Sequence, residues 1–134
     1  MEEMEDGICL DTDFLVNFLR RKKEEVDFIK ENEAEKDFAM TFVNAFELYY
    51  GAYKSGAREQ NLEAVARLLE RIPVLESSHS VMKKAGEMLA RLEKEGKLID
   101  FRDLFIGAAA LTYGYGLKTG NVKHFEKING LKIV

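Results

Sequence analysis

Apolar residues recur along this chain in two rhythms. Short continuous runs, Ile8-Cys9-Leu10, Phe38-Ala39-Met40 and Val74-Leu75, read as buried strands, because a strand covered on both faces needs no polar alternation. Longer stretches repeat at helical spacing. Glu59 to Arg71 sets Leu62, Val65, Ala66, Leu69 and Ile72 along one stripe, and Pro73 ends it. A longer helix opens near Ser78 or Ser80, carries Val81, Met82, Ala85, Met88, Leu89 and Leu92, and stops at Gly96. Helices are also expected over 14–23, closing on the cations Arg20-Arg21-Lys22-Lys23, over 24–31, over 44–55 before Gly56, and over 103–115. The C-terminal stretch is expected to hold a strand at 117–119, a short turn or helix around 122–127 and a last strand near 131–134.

Short apolar strands separated by one or two helices define an α/β domain with a short, mainly parallel sheet flanked by helices on both faces. A chain of 134 residues has room for one such domain, 1–134, and its single proline and lack of Gly/Ser-rich stretches offer no linker. The acidic start MEEMED, residues 1–6, is expected to be a flexible tail. No apolar run approaches the roughly 18 residues of a membrane span, and that start is acidic where a secretory signal is basic, so the expected address is the cytoplasm, with no membrane. The net charge of −4 lacks the footprint of a general nucleic-acid binder. Nucleic acid stays open as a substrate, because a cation held by acidic residues reverses the local sign. Cys9 has no second cysteine to pair with and lies in an expected buried strand, where it serves as a small hydrophobe.

In parallel sheets, ligands bind beyond the carboxyl ends of the strands, near the point where strand order reverses. Asp11 stands at that end of the first strand, within GICLDTDFL. The segment FAMTFVNAFELYYGAY, residues 38–53, contains one charge, Glu47, and helical spacing sets Asn44 and Gly51 beside it. Asp103 precedes the uncharged LFIGAAALTYGYGL, residues 104–117, which reads as a helix buried all round. A cap or first-turn role would also explain Asp103, and nearby Asp100 competes for it. Thr119-Gly120-Asn121 follows an expected strand at the same sheet edge as Asp11, although Gly and Asn also suit a plain turn. Oxygen ligands without a Cys or His pair at ligand spacing favour Mg²⁺ or Mn²⁺ over zinc. Carboxylates gathered without a cation would repel one another. One or two such ions orient a phosphodiester, activate a water and stabilise the leaving 3′ oxygen, so metal-dependent phosphodiester hydrolysis is the expected chemistry.

Four segments, LDTDFL at 10–15, FELYYGA at 46–52, DLFIGAAAL at 103–111 and KTGNVKHFEKINGLKIV at 118–134, together resemble the PIN domain, and within it the VapC-type toxins of toxin–antitoxin pairs. The resemblance runs over almost the whole chain. It implies an endoribonuclease with a Mg²⁺- or Mn²⁺-dependent acidic centre. Motif by motif, the family's first aspartate falls on Asp11, its helical glutamate on Glu47 and the aspartate before the buried helix on Asp103, each a catalytic metal ligand. Its fourth acidic position falls on Asn121, a neutral ligand that leaves one-metal chemistry as open as two-metal. Thr12 and Thr119 fall on supporting hydroxyl positions. Asp13 then reads as the N-cap of the helix at 14–23, and Asp100 as a cap or outer support. Partners implied are an RNA substrate, a small antitoxin that inserts a basic side chain into the acidic centre, and a second copy in a homodimer using the helix of Tyr49, Tyr50 and Tyr53. His79 and His124 read as surface or structural residues, without ligand spacing to each other. An inactive scaffold with this fold would be expected to have lost ligands, yet all three acids are present. The aspartyl-phosphate reading of Asp11-Thr12-Asp13 needs a small or hydroxyl residue where Phe14 stands.

Overall fold

The computed structural model describes residues 7–134; the expected acidic tail, residues 1–6, lies outside the described residues. In chain order the elements are β1 (Gly7–Leu10), α1 (Thr12–Leu19), α2 (Lys23–Asn32), β2 (Asp37–Thr41), α3 (Phe42–Lys54) and α4 (Arg58–Arg71). There follow β3 (Val74–Leu75), α5 (His79–Lys94), α6 (Phe101–Tyr113), β4 (Gly116–Lys118) and α7 (Val122–Phe125). The four strands form one parallel sheet in the order β3-β2-β1-β4.

All four residues of β1 are buried. Successive side chains of a strand point to opposite faces, so Ile8 and Leu10 join a core with Phe14, Leu15, Met40 and Leu68, while Cys9 joins another with Ala39, Leu117, Met88 and Ala109. Helices α1, α2 and α4 cover the first face, and α5 and α6 cover the second. Helix α3 contributes Leu48 and Ala52 to the first core and Val43 to the second. In α6 the small residues Gly107 to Ala110 are all buried, and a Cβ added at Gly107 would lie 2.5 Å from Ile128 Cδ1. That helix therefore packs closer to its neighbours than larger side chains allow.

Strand order reverses between β1 and β4. The chain leaves β1 toward β2 and β3 on one side, then returns across α5 and α6 to β4 on the other. The crevice beyond the carboxyl ends of β1 and β4 is thus the position where such sheets bind ligands.

Several boundaries differ from the periodicity reading, each for a local reason. Helix α1 begins at Thr12, two residues early, and ends at Leu19 because Arg21 takes a left-handed conformation at φ 59°. The four cations therefore span a turn: Arg20 is the C-cap of α1, and Lys23 opens α2. Helix α3 starts at Phe42 because Thr41 and Asn44 form a reciprocal capping box. Helix α6 starts at Phe101, capped by Asp100, and closes on Gly114 at φ 78°. The expected last strand at 131–134 reduces to a single parallel bridge between Leu117 and Ile133, since β4 is three residues long and leaves little ladder to extend.

Candidate active site

Asp11 follows β1 directly, and its backbone N–H donates to the Lys118 carbonyl at 3.0 Å, prolonging the ladder to β4. Only 5% of its surface is exposed. A carboxylate so buried needs donors, and three are present. Oδ1 accepts from the Thr12 backbone N–H at 2.8 Å and from Asn44 Nδ2 at 3.1 Å, and Oδ2 accepts from Thr119 Oγ1 at 2.7 Å.

The first of these bonds makes Asp11 the N-cap of α1, with an extended backbone at φ −74°, ψ 165°. This corrects the expected division between the paired aspartates. Asp13 lies exposed in the first turn of α1, past the position from which a side chain can cap it. What Asp13 contributes is charge near the positive end of the helix dipole. Asp13→Ala is accordingly expected to cost only about 0.3 to 0.5 kcal/mol in urea unfolding, against the ~1 kcal/mol of a lost cap. A loss of 1 kcal/mol or more would restore the capping role.

Asn44 is fully buried and connects the parts of the site. Its Oδ1 accepts from the Thr41 backbone N–H at 2.9 Å and from Thr41 Oγ1 at 2.7 Å. Its Nδ2 donates to Asp11 and, at 2.9 Å, to Thr12 Oγ1. The Thr12 hydroxyl in turn donates to Glu47 Oε1 at 2.5 Å. One amide thus ties the capping box of α3 to carboxylates on two elements. The sequence placed Asn44 on the face of Glu47, but its partnership with Asp11 and the part played by Thr41 were missed; the available signal was a threonine three residues before an asparagine at a helix start.

Glu47 is partly exposed, with 21% of its side chain accessible, and its Oε2 lies 3.6 Å from Arg102 Nη1. Asp103 occupies the third position of α6, one turn after the capping Asp100, whose carboxylate accepts from the Arg102 backbone N–H at 2.8 Å. That bond holds the Asp100 carboxyl below the usual carboxylate range. Burial pushes the Asp103 carboxyl up, and the charges of Asp100 and Asp11 add to the rise, while His124 opposes it. His124 Nδ1 lies 3.2 Å from Asp103 Oδ2, so this histidine, expected at the surface, remains exposed but touches a candidate ligand. His79 is exposed at the start of α5.

Asp11, Thr12, Asn44, Glu47 and Thr119 therefore form one hydrogen-bonded network, with Asp103 near enough for the Asp11 charge to act on it. Asn121 enters through its backbone N–H, which donates to Thr119 Oγ1 at 2.9 Å, while the residue itself is exposed. Among the described residues, no group of three or more His, Cys, Asp or Glu side chains is gathered tightly enough to hold a metal ion. Asp11 and Glu47 are held by Thr12, Asn44 and Thr119, and Asp103 faces His124. The donor set nonetheless suits a hard cation: Asp11, Glu47, Asp103 and Asn121 offer oxygen alone, and positive charge would relieve the mutual repulsion acting on Asp103. Cys9 has no part in this chemistry, because burial and the nearby Asp11 charge raise its thiol far above the reactive range.

The PIN domain family model matches residues 8–130. Ribonuclease VapC2 of Haemophilus influenzae Rd is 30% identical over 123 residues, 92% of each chain. The tRNA(fMet)-specific endonuclease VapC of Shigella flexneri is 28% identical over 123 residues, again 92% of each. Among solved structures, VapBC2 from Rickettsia felis bound to a promoter DNA fragment superposes with a TM-score of 0.89 at 26% identity, covering 96% of this chain and 97% of that one. VapBC-1 from nontypeable H. influenzae gives 0.83 at 30% identity, covering 96% of both chains. The chain belongs to the PIN domain family and, within it, to the VapC group.

Proposed function

We propose that this protein, one domain over residues 1–134, is a Mg²⁺- or Mn²⁺-dependent endoribonuclease, acting in the cytoplasm as the toxin of a type II toxin–antitoxin pair. The observation that carries the reading is the buried Asp11 carboxylate, fixed at the carboxyl edge of β1 by Thr12, Asn44 and Thr119 and neighboured by Glu47 and Asp103. Relatives named as ribonucleases over nine-tenths of the chain support the choice of RNA.

Asp11, Glu47 and Asp103 are the residues that would hold the cation, with Asn121 as a neutral fourth oxygen donor. When bound, a divalent ion activates water and offsets charge on the phosphodiester. Thr119 and Asn44 fix both oxygens of Asp11, and Thr12 fixes one oxygen of Glu47. Such outer bonds set the orientation of ligand carboxylates, as in other metal centres.

For the antitoxin, a groove of about 260 Å³ between α1, α3 and α4 is lined by Val16, Leu48, Ala52 and Val65 and reaches Glu47. It suits a short apolar segment ending in a basic side chain at the acidic centre. For the homodimer, the aromatic surface is Phe46, Tyr50 and Tyr53, which are exposed; Tyr49 turns toward the core. Among the described residues, no helix is long and apolar enough to cross a membrane.

The test is cleavage of a mixed RNA pool by purified protein in Mg²⁺, Mn²⁺ or EDTA, beside Asp11→Asn. Asparagine caps helices about as well as aspartate, so the variant is expected to keep its fold and lose cleavage. Cuts that require a divalent ion and vanish in the variant support the reading. Cleavage by neither protein in either metal would overturn it in favour of an inactive scaffold.

A further inference from the structure

Arg102 stands at the rim of the acidic centre, immediately before Asp103 in the chain. Its Nη1 lies 3.6 Å from Glu47 Oε2 and its Nε 3.4 Å from Asp100 Oδ1, and 59% of the side chain is exposed. Contacts this long and this solvated contribute little to stability. They place the guanidinium beside Glu47 and Asp100, at the edge of the acidic centre. Of its five N–H donors, Nε–H is hydrogen-bonded to Asp100, the Glu47 contact is an ion pair beyond hydrogen-bond distance, and the Nη groups remain for another acceptor.

Resting on the ribonuclease reading above, we infer that Arg102 binds an RNA backbone phosphate at the cleavage point. A phosphodiester approaching Asp11, Glu47 and Asp103 in a chain of net charge −4 meets mostly like charge. The planar guanidinium fork matches two phosphate oxygens and is always charged. Asp100 and Glu47 flank it, so it already stands beside the acidic centre where the phosphodiester arrives. A contact of this kind adds affinity and register without reading bases, so its loss weakens all RNA sequences alike.

The experiment is steady-state cleavage of a fluorescein-labelled, mixed-sequence single-stranded RNA by wild type, Arg102→Ala and Arg102→Lys across a salt series, with circular dichroism as a check on folding. Arg102→Ala is expected to raise KM roughly tenfold or more, with a smaller effect on kcat, and to flatten the salt dependence of log kcat/KM by about 0.7, one phosphate contact on a single strand. Arg102→Lys is expected to restore the salt slope but only part of KM, because lysine keeps the charge and loses the fork. Unchanged KM and slope in Arg102→Ala, with kcat or the Mg²⁺ requirement altered, would overturn the inference and assign Arg102 to neutralising Glu47. If wild type cuts no RNA, the ribonuclease reading fails, and fluorescence anisotropy with the same RNA decides Arg102 independently. In that case a weaker Kd and shallower salt slope in Arg102→Ala support phosphate binding, and identical values overturn it.

Discussion

Asp103→Asn is expected to lose metal-dependent RNA cleavage by more than about 100-fold in kcat/KM, while the metal-free variant melts higher than wild type at neutral pH. The first effect follows because even groups that merely support metal ligands cost about 10- to 100-fold when removed, and a ligand should cost more. The second follows from titration. Burial, with the charges of Asp100 and Asp11, raises the folded-state Asp103 carboxyl above its ordinary value of 3.8. The folded protein therefore holds this proton more tightly than the unfolded chain does. Its contribution to stability is fully present below 3.8 and is lost as pH rises through the raised value. Asparagine never acquires the charge and escapes that loss. Melting curves in EDTA from pH 3.5 to 7 should show wild type and variant converging in acid and separating toward neutrality. Added Mn²⁺ should then stabilise wild type and leave the variant unmoved, because only a form that binds the ion gains from it. A variant less stable than wild type in EDTA at pH 7 would mean that the His124 contact outweighs burial and repulsion.

The asymmetry between what the sequence disclosed and what it hid follows from the range of the forces involved. The stripe of α5 was legible because burial of one face imposes a helical period, and β3 because Pro73 ends the preceding stripe and leaves a short apolar run. The choice between Asp11 and Asp13 as helix cap was not. It depends on the Asp11 N–H being spent on the Lys118 carbonyl, a sheet bond to a strand at the other end of the chain, which fixes Thr12 as the first helical residue. Asp100 rather than Asp103 caps α6 for a similar reason: local sequence offers two aspartates, and backbone geometry selects one. Glu47 stood out as the lone charge within residues 38–53, and Asp11 and Asp103 because each borders an apolar run. Among the groups around them, Thr12 and Thr119 were expected as supporting hydroxyls through the resemblance, whereas Asn44 and His124 acquire their meaning only across distant hydrogen bonds and contacts.

Asn44→Ala is expected to destabilise the protein by about 2 to 4 kcal/mol, and to reduce kcat/KM by a further 10- to 100-fold in whatever protein remains folded. The size reflects what this amide satisfies. Its oxygen serves both the N–H and the hydroxyl of Thr41, and its nitrogen serves Asp11 and Thr12, at a position with no solvent access to replace them. Alanine leaves a buried N–H and a buried carboxylate oxygen each short of a partner, and such groups cost about 1–3 kcal/mol apiece. It also releases the Thr12 hydroxyl that orients Glu47, which is how a residue unable to reach the substrate would slow its cleavage. Asn44→Asp separates the two functions. Its carboxylate can still accept from Thr41 and so keeps the capping box, but when ionised it cannot donate to Asp11 and instead faces it with like charge. Urea unfolding and single-turnover cleavage of both variants read the two effects apart. Wild-type stability in Asn44→Ala would show that the box and the carboxylates stand without this bridge, and wild-type cleavage in folded Asn44→Asp would show that Asp11 needs no donor from α3.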